Sequence, residues 1–239
     1  MLVASGDQFI AMRDRSAGPA RARRPATISI EVVLCAPHGR TLGVLFTRSR
    51  DRDRWTLPHA AYIAGEAPGD TAARIARRAL GVQPACLEPC VVLGDRNSRA
   101  TATMSVGFVG VTFERSDVSN TRAAWFASGD LPKAEPRHSL MVKAAVDALR
   151  GRMDFAPIAF GLLPATFTLG ALQAVYELLL GRRLHKANFR RALRAARVVK
   201  PTALWHKGGR GRPAQLFRYV PRRPNRARRN VRFDLLGAA

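Results

Sequence analysis

The chain has 239 residues, which is enough for two modest domains or one large one. Its formal net charge is +23, and residues 181–239 hold 18 Lys and Arg against one acid, Asp234. A charge this uneven predicts a polyanionic partner, with nucleic acid ahead of an anionic membrane. Cys35, Cys86 and Cys90 are too few and too irregular for a disulfide framework or a zinc site, so we expect buried thiols in a reducing compartment.

Neither the N-terminus nor the longest uncharged stretch favours a membrane protein. Residues 1–26 lack the apolar core of a signal peptide and are predicted to form a flexible, basic arm. Residues 155–176 carry no charge, but Pro157 and Pro164 interrupt them and several polar side chains lie between. We interpret this stretch as two buried helices separated by a turn, and expect a soluble, cytoplasmic protein.

The first two-thirds of the chain has mixed α and β character. Residues 28–35 and 42–48 are β-rich, and His38-Gly39-Arg40 between them predicts a hairpin. Strands are also predicted at 90–93, 104–113 and 124–126, and helices at 71–80 and 140–149. Strands with a helix on either side predict an α/β/α sandwich, assigned to residues 27–152.

Residues 57–82, LPHAAYIAGEAPGDTAARIARRALGV, keep the spacing of a catalytic motif. The segment resembles a Nudix box, whose family pattern is Gly-x5-Glu-x7-Arg-Glu-U-x-Glu-Glu-x-Gly-U, with U an aliphatic residue. The pattern fits without a gap from Ala60 through Glu66 and Arg74 to Gly81-Val82. The three later glutamates of the motif are replaced by Ile75, Arg78 and Ala79.

These replacements decide what the resemblance implies about chemistry. In the family, grouped carboxylates on this loop and helix hold Mg²⁺, which neutralises a diphosphate and activates water. One remaining Glu66 beside the cationic Arg78 cannot hold a hard divalent ion. We therefore predict a Nudix-like fold with no catalytic residue, no metal site and no cofactor, and a protein that is not an enzyme. An ordinary amphipathic helix after a Gly/Pro loop is the alternative explanation of the pattern.

The C-terminal part of the chain predicts two closely spaced helices. Thr168 is a good N-cap for a helix over 169–180, and Gly181 ends it. A second helix is predicted over 185–198, and one of its faces is apolar while the other is basic. The residues expected to face the first helix are Phe189, Leu193 and Ala196. The cationic stripe consists of Lys186, Arg190, Arg194 and Arg197.

Two strands, at 198–204 and 214–220, are predicted to follow, joined by a Gly- and Arg-rich loop at 205–212. Helix, turn, basic helix and two-stranded wing is the order of a winged helix-turn-helix, predicted for 153–221. The second helix of that fold enters the DNA major groove. A basic tail at 222–239 is expected to add nonspecific phosphate affinity. The predicted DNA-binding residues are Lys186, Asn188, Arg190, Arg191, Arg194, Arg210 and Arg212.

The loop of the wing contains Arg210-Gly211-Arg212-Pro213, which resembles the core of an AT-hook. In that motif two arginines flank a glycine that lets the backbone lie flat in a narrow minor groove. The groove has enhanced negative potential, especially in A·T-rich DNA, which attracts arginine. We therefore predict minor-groove contact by Arg210 and Arg212, and a generic basic loop is the alternative.

A degenerate Nudix domain followed by a winged helix resembles the Nudix-related transcriptional regulators of NAD metabolism. The similarity covers residues 27–219 and is strongest at Leu163-Pro164, Phe167-Thr168-Leu169, Asn188-Phe189-Arg190-Arg191 and Gly211-Arg212-Pro213-Ala214. Members of that family are dimeric repressors whose Nudix-like domain senses ADP-ribose or a related NAD metabolite, which releases operator DNA. The resemblance implies a homodimer that represses NAD synthesis or salvage genes from a palindromic, A·T-containing double-stranded DNA operator.

The ligand-binding residues suggested for the Nudix-like domain are Arg48, His59, Tyr62 and Glu66. His59-Ala60 stand where the family tends to have two glycines, and their side chains could narrow the cleft for ADP-ribose. Two other functions stay open. One is a constitutive DNA-binding dimer with no effector, and the other is an active Nudix hydrolase tethered to nucleic acid that uses Glu66 and Asp70.

Overall fold

The structure, a computed structural model of the chain, describes residues 27–48, 54–94, 103–113, 122–153, 158–206 and 213–221. The predicted N-terminal arm, the predicted C-terminal tail and the loop that contains Arg210 and Arg212 lie outside these residues. Among the described helices, none combines the length and the apolar character needed to cross a bilayer.

The N-terminal domain is built on one mixed sheet. Its strands are β1 (Thr27–His38), β2 (Thr41–Arg48), β3 (Trp55–Thr56), β4 (His59–Ala61), β5 (Cys86–Gly94), β6 (Thr103–Val111) and β7 (Ala123–Ala127). Its helices are α1 (Pro68–Leu80) and α2 (Pro136–Arg152). The strand order is β3-β2-β1-β6-β5, with β4 also paired to β1 and β7 to β2. Strands β1 and β6 are parallel, and the other pairs are antiparallel.

Alternation along β1 places the two helices on opposite faces of the sheet. Ile30, Val32 and Leu34 are fully buried in a cluster that also contains the apolar residues of α1. Val33 and Cys35 point to the other face, in a cluster that contains the apolar residues of α2. Successive side chains of a strand alternate between faces, so a continuous apolar run indicates burial on both sides. The predicted α/β/α sandwich is confirmed.

The predicted β1–β2 hairpin is also confirmed. Gly39 has a φ of +61°, the left-handed conformation that glycine adopts without steric cost. Thr41 Oγ1 donates a hydrogen bond of 3.0 Å to the carbonyl of His38 across the turn. The Gly-containing dipeptide therefore fixes the register in which Cys35 pairs with Val44.

The C-terminal domain has the elements of a winged helix. They are a 3₁₀ helix (Ile158–Leu162), β8 (Thr166–Thr168), α3 (Leu169–Leu180), α4 (Lys186–Ala196), β9 (Val199–His206) and β10 (Ala214–Tyr219). The hydroxyl of Thr168 accepts a hydrogen bond of 3.0 Å from the Ala171 amide, and Gly181 ends α3 with a φ of +67°. Both predicted ends of this helix are confirmed.

The expected pair of buried helices at 155–176 is wrong in its first half. In the described part of this stretch, a short 3₁₀ helix precedes Pro164, and Thr166–Thr168 forms a strand that pairs with β10. Pro164 lacks an amide donor and disfavours helical geometry at the residue before it, so a regular helix cannot continue. The wing is consequently a three-stranded sheet in the order β8-β10-β9.

The three cysteines are free thiols. Burial raises the pKa of Cys35 to about 12, and those of the half-buried Cys86 and Cys90 to about 11. Thiols with raised pKa values are poor nucleophiles at neutral pH. The expectation of buried thiols is confirmed for Cys35, whereas Cys86 and Cys90 on the edge strand β5 are partly exposed.

One apolar core runs through both domains. It extends from Val33 on β1, through Met141 and Leu149 on α2, to Leu172 on α3 and Phe189 on α4. Polar contacts cross the same boundary, since Arg150 Nε on α2 donates a hydrogen bond of 2.8 Å to the carbonyl of Leu179 on α3. Helix α2 therefore belongs structurally to both domains.

A buried carboxylate anchors the first turn of α2 to the sheet. Glu31 on β1 is almost fully buried, and its Oε1 accepts a hydrogen bond of 2.8 Å from Ser105 Oγ. Arg137 Nη1 lies 3.7 Å from Oε1, and His138 Nε2 lies 3.4 Å from Oε2. Burial raises the pKa of Glu31, but His138, Ser105 and Arg137 together outweigh burial and hold it below its usual value.

We expect Glu31→Gln to lower the free energy of unfolding at neutral pH by about 1–3 kcal/mol, because the buried partners lose a charged acceptor. A depressed pKa contributes stability above the unfolded pKa of about 4.3 and loses it as the pH falls through the folded pKa. The wild type should therefore lose more stability below about pH 4.3 than Glu31→Gln does, in urea unfolding followed by circular dichroism.

The control for this experiment is Glu135→Gln. Glu135 bonds the same Arg137 at 3.0 Å, but its side chain is 46% exposed, so the substitution should cost less than about 0.5 kcal/mol. Equal acid dependence in the wild type and Glu31→Gln would contradict the buried-charge explanation.

Candidate nucleic-acid interface and ligand site

The loop before α1 and the first turns of α1 contain the remnant of the Nudix box. Glu66 accepts hydrogen bonds from Arg74 at both carboxylate oxygens, at 3.1 Å from Nε and 2.7 Å from Nη2. Thr71 Oγ1 donates a third bond of 2.8 Å to the same carboxylate. Arg74, and then Thr71, hold the pKa of Glu66 below its usual value. The remaining motif carboxylate is thus bound by a guanidinium in a bidentate pair.

The three replaced positions add no carboxylate to this site. Ile75 is buried in the cluster between α1 and the sheet, and Ala79 packs at its edge. Arg78 is exposed to solvent beside Arg77. Within the described ranges, no group of three or more His, Cys, Asp and Glu side chains is placed to hold a metal ion. The residues present do not fit a divalent cation, because the charge on Glu66 is already neutralised.

The suggested ligand residues lie on two parts of the N-terminal domain. Tyr62 and Glu66 lie on the segment between β4 and α1, and His59 lies on β4. The His59 ring is folded back, with Nδ1 2.8 Å from the carbonyl of Leu57. Arg48 is at the far end of β2, where it pairs with β3. Sequence reasoning places these four residues in one site, and this grouping stays a prediction.

Sequence reasoning missed the aromatic group beside Arg48. The Arg48 guanidinium lies 4.7 Å from the centroid of the Trp55 ring, and Trp55 meets Phe126 edge-on at 5.0 Å. Phe126 in turn contacts Phe46 at 5.9 Å. The sequence signal for this aromatic group was Trp55, which directly follows the charged loop at 49–54. Only the pairing of Arg48 with Trp55 across β2 and β3 shows that the two side chains meet.

The second helix of the C-terminal domain has one buried and one basic face. Phe189 and Leu193 are almost fully buried, and Phe189 packs edge-on against Tyr176 of α3 at 5.3 Å. The predicted stripe residues are all exposed, along the side of α4 that adjoins this buried face. Three of them, Lys186, Arg190 and Arg194, line a shallow depression of about 560 Å³ together with His185, Ala187 and Arg191.

The helical part of the cationic stripe is shorter than the sequence spacing of its residues predicts. Helix α4 ends at Ala196, and Arg197 takes a left-handed conformation with a φ of +51°. Its amide bonds the carbonyls of Leu193 and Arg194, which closes the helix. Arg197 therefore does not continue the i, i+4, i+8 row, because its backbone has turned away from the helix axis. Arg191 Nη2 donates a 3.0 Å bond to Asn188 Oδ1, which joins two predicted DNA-binding residues on the exposed face.

The turn between α3 and α4 is fixed by a glutamate that sequence reasoning did not single out. Glu177 Oε1 accepts hydrogen bonds of 2.9 Å from the Leu184 amide and from Gln173 Nε2. Gln173 Nε2 also reaches the Leu184 carbonyl at 2.9 Å. These bonds hold the start of α4 against α3. The orientation of α4 relative to α3 is thus fixed by these hydrogen bonds.

The wing follows α4 as predicted, with a shift at its tip. Trp205 pairs with Gln215 and His206 with Ala214, so both residues belong to β9 and not to the predicted loop at 205–212. Cross-strand pairing thus includes Trp205 and His206 in β9. The predicted minor-groove arginines, Arg210 and Arg212, lie outside the described residues.

Comparisons with known proteins agree with this architecture. Residues 159–219 match the model of the NrtR DNA-binding winged helix domain. Over 83 residues, the chain is 35% identical to the ADPR responsive transcriptional repressor NtrR of Acinetobacter baylyi. That match spans 35% of this chain and 33% of the relative, so the chain covers about a third of the curated relative's length.

Two solved structures share the fold over most of the chain. The first is Shewanella oneidensis NrtR complexed with a 27mer DNA, with a TM-score of 0.72, 24% identity, and 84% of this chain and 96% of that one covered. The second is a MutT/nudix family protein from Enterococcus faecalis, with a TM-score of 0.67, 17% identity, and 84% and 90% covered. The described fold is therefore a Nudix-like domain followed by a winged helix.

We expect Arg190→Ala and Arg194→Ala each to weaken binding of a sequence-selected DNA duplex by about 1–3 kcal/mol, if the side chains reach base edges. Each should also lower the slope of log affinity against log salt by roughly one where a phosphate contact is lost. Fluorescence anisotropy with duplexes selected from a random library measures both quantities.

The matched control is Arg78→Ala, an exposed helix arginine of the other domain, which should leave affinity within about 0.5 kcal/mol of wild type. If Arg190→Ala and Arg78→Ala had the same effect on selected and random duplexes, α4 would not be the sequence-reading helix.

Proposed function

We propose that this chain, in which a Nudix-like domain precedes an NrtR DNA-binding winged helix domain, is a transcriptional repressor controlled by a small ligand. The observation that carries the proposal is the exposed basic face of α4, held by Phe189 and Leu193 on the common core. A helix with a buried apolar side and an exposed arginine row fits the DNA major groove. The described part of α4 contains no acidic residue that would repel phosphate.

The proposed DNA binding also involves the wing and a second copy of the chain. Arg210 and Arg212 would contact a minor groove beside the site that α4 reads. One winged helix covers a short half-site, so two copies related by two-fold symmetry would bind a palindromic operator with half-sites about one helical turn apart. A stoichiometry of two chains per duplex in the anisotropy titration would support this homodimer.

We infer that the effector is ADP-ribose or a related NAD metabolite, and that the regulated genes serve NAD synthesis or salvage. The support is the relative described as ADPR responsive, together with the Nudix-like domain. The stacked Arg48 and Trp55 offer a flat, cationic surface of the kind on which a nucleobase packs. His59 would line the rest of this site, whereas Tyr62 packs into the cluster between α1 and the sheet, on the opposite face from Trp55.

The side chains that replace the two glycines do not by themselves close this cleft. Ala60 packs toward the cluster between α1 and the sheet, so its methyl group is directed into the core. The His59 ring is bonded to the Leu57 carbonyl and lies back along the strand. Both features are compatible with nucleotide entry.

We propose that the Nudix-like domain senses its ligand without hydrolysing it. The Arg74 guanidinium occupies both oxygens of Glu66, and among the described residues no group of three or more His, Cys, Asp and Glu side chains is placed to hold a metal ion. Without grouped carboxylates, neither a metal ion nor an activated water has a ligand set at this position.

Incubation with ADP-ribose, NADH or diadenosine polyphosphates plus Mg²⁺ or Mn²⁺ should therefore give no turnover above that of a Glu66→Gln control. Product release followed by chromatography measures this. Turnover at ordinary enzyme rates, on the order of 1 s⁻¹ or more, that disappears in Glu66→Gln would refute the non-enzymatic proposal.

Titrating ADP-ribose into the DNA complex tests the sensing function. We expect release of the duplex, because a ligand that binds the DNA-free conformation better shifts the population toward it. Trp55→Ala should bind the duplex like wild type without ligand but require at least about tenfold more ADP-ribose for release.

Two controls separate the outcomes of that titration. AMP tests whether the nucleobase part is sufficient, and Leu140→Ala tests whether loss of any exposed apolar side chain has the same effect. A complex that persists at saturating ADP-ribose would favour a constitutive DNA-binding protein.

A further inference from the structure

The wing exposes two neighbouring large apolar side chains. Leu204 is 57% exposed and Trp205 is 54% exposed, on the part of β9 that approaches the hairpin tip. Single exposed leucines are normal on soluble proteins, so exposure of Leu204 alone indicates nothing. A tryptophan is different, because it has the largest apolar surface of any side chain and is usually buried for most of its area.

A bulge in β9 directs these side chains outward. Regular pairing runs from Val199 opposite Tyr219 to Pro201 opposite Phe217, and resumes only where Trp205 pairs with Gln215. The three residues 202–204 therefore lie opposite the single residue Leu216. Bulges of this kind bend a strand and re-aim the side chains beside them.

Hydrogen bonds from two side chains, Thr202 and Gln215, stabilise the bulge. Thr202 Oγ1 donates to the Leu216 carbonyl at 2.9 Å and accepts from the Leu204 amide at 3.2 Å. Gln215 Nε2 donates to the Thr202 carbonyl at 3.4 Å. Three backbone groups at the bulge thus have side-chain partners: the carbonyls of Thr202 and Leu216 and the amide of Leu204.

The charges around this apolar pair indicate its partner. Lys200, His206 and Arg218 are exposed on β9 and β10, and neither strand contains an acidic residue. The neighbouring α4 is also basic and without acids. A polyanion is complementary to this surface, and DNA combines a polyanionic backbone with apolar sugar and base faces.

We propose that Trp205 makes an apolar contact with the DNA that α4 binds, against deoxyribose and base surfaces beside the major-groove site. This contact rests on the proposed DNA-binding function and adds to it a residue with no charge. Aromatic and aliphatic side chains pack on bases and sugars without releasing counterions. The contact therefore contributes affinity that salt does not remove.

The experiment compares full-length variants on duplexes that wild type selects from a random library. Trp205→Ala should weaken affinity about tenfold, while the salt slope stays at the wild-type value. Trp205→Phe should restore most of the loss, because it keeps an aromatic face. Leu140→Ala, which removes a side chain 60% exposed on α2, should bind like wild type.

A fluorescence measurement tests the contact without depending on affinity. The emission that disappears in Trp205→Phe belongs to Trp205, and we expect duplex addition to quench it and to protect it from acrylamide. The selected duplex is the probe, and circular dichroism melting confirms that each variant is folded.

The possible failures are distinguishable. If wild type selects no sequence and binds no duplex, the proposed function fails. If wild type binds DNA while Trp205→Ala binds equally well and Trp205 stays accessible to acrylamide, only the apolar contact is overturned. Protection of Trp205 by self-association in the absence of DNA would also overturn it, since the surface would then be a protein interface.

Discussion

The single apolar core that joins the sheet to α4 is the constraint on which the rest of the structure depends. Helix α2 packs against Val33 on one side and continues, through Leu149, to the residues that support α3. Because Phe189 and Leu193 bury their side chains in the same core, the orientation of α4 about its axis is determined. The arginines beside this buried face are exposed as a consequence. The position of the basic surface thus depends on the packing of α4 against the core, and its charge on the arginines.

The same core would give the proposed ligand binding in one domain a physical route to the other. Glu31 in the sheet holds Arg137 and His138 at the start of α2, and Arg150 near its end bonds the Leu179 carbonyl of α3. A close-packed connection transmits a rigid shift of α2 rather than absorbing it. A change at the sheet that displaced α2 would therefore be expected to move α3 and α4 together.

The segment that resembles a Nudix box keeps the loop and helix of that motif with different side chains at three motif positions. Glu66 and Arg74 still connect the loop to α1 through a bidentate pair, and Thr71 adds a further bond. This ion pair fixes the shape of the loop without a metal. Ile75 contributes to the core where the motif has a carboxylate. The side chains at these motif positions supply no carboxylate, while the helix and its Gly81 cap are formed.

The sequence by itself determined the features that depend on local chemistry: the hairpin at Gly39, the cap at Thr168, the two helix faces of α4 and the missing motif carboxylates. Periodicity and capping act over a few residues, so they can be read without a fold. Tertiary structure alone decided the pairing of Arg48 with Trp55, the strand at Thr166–Thr168 and the outward Trp205, because each depends on a partner distant in the chain. Long-range strand pairing supplies those partners, and no local pattern specifies it.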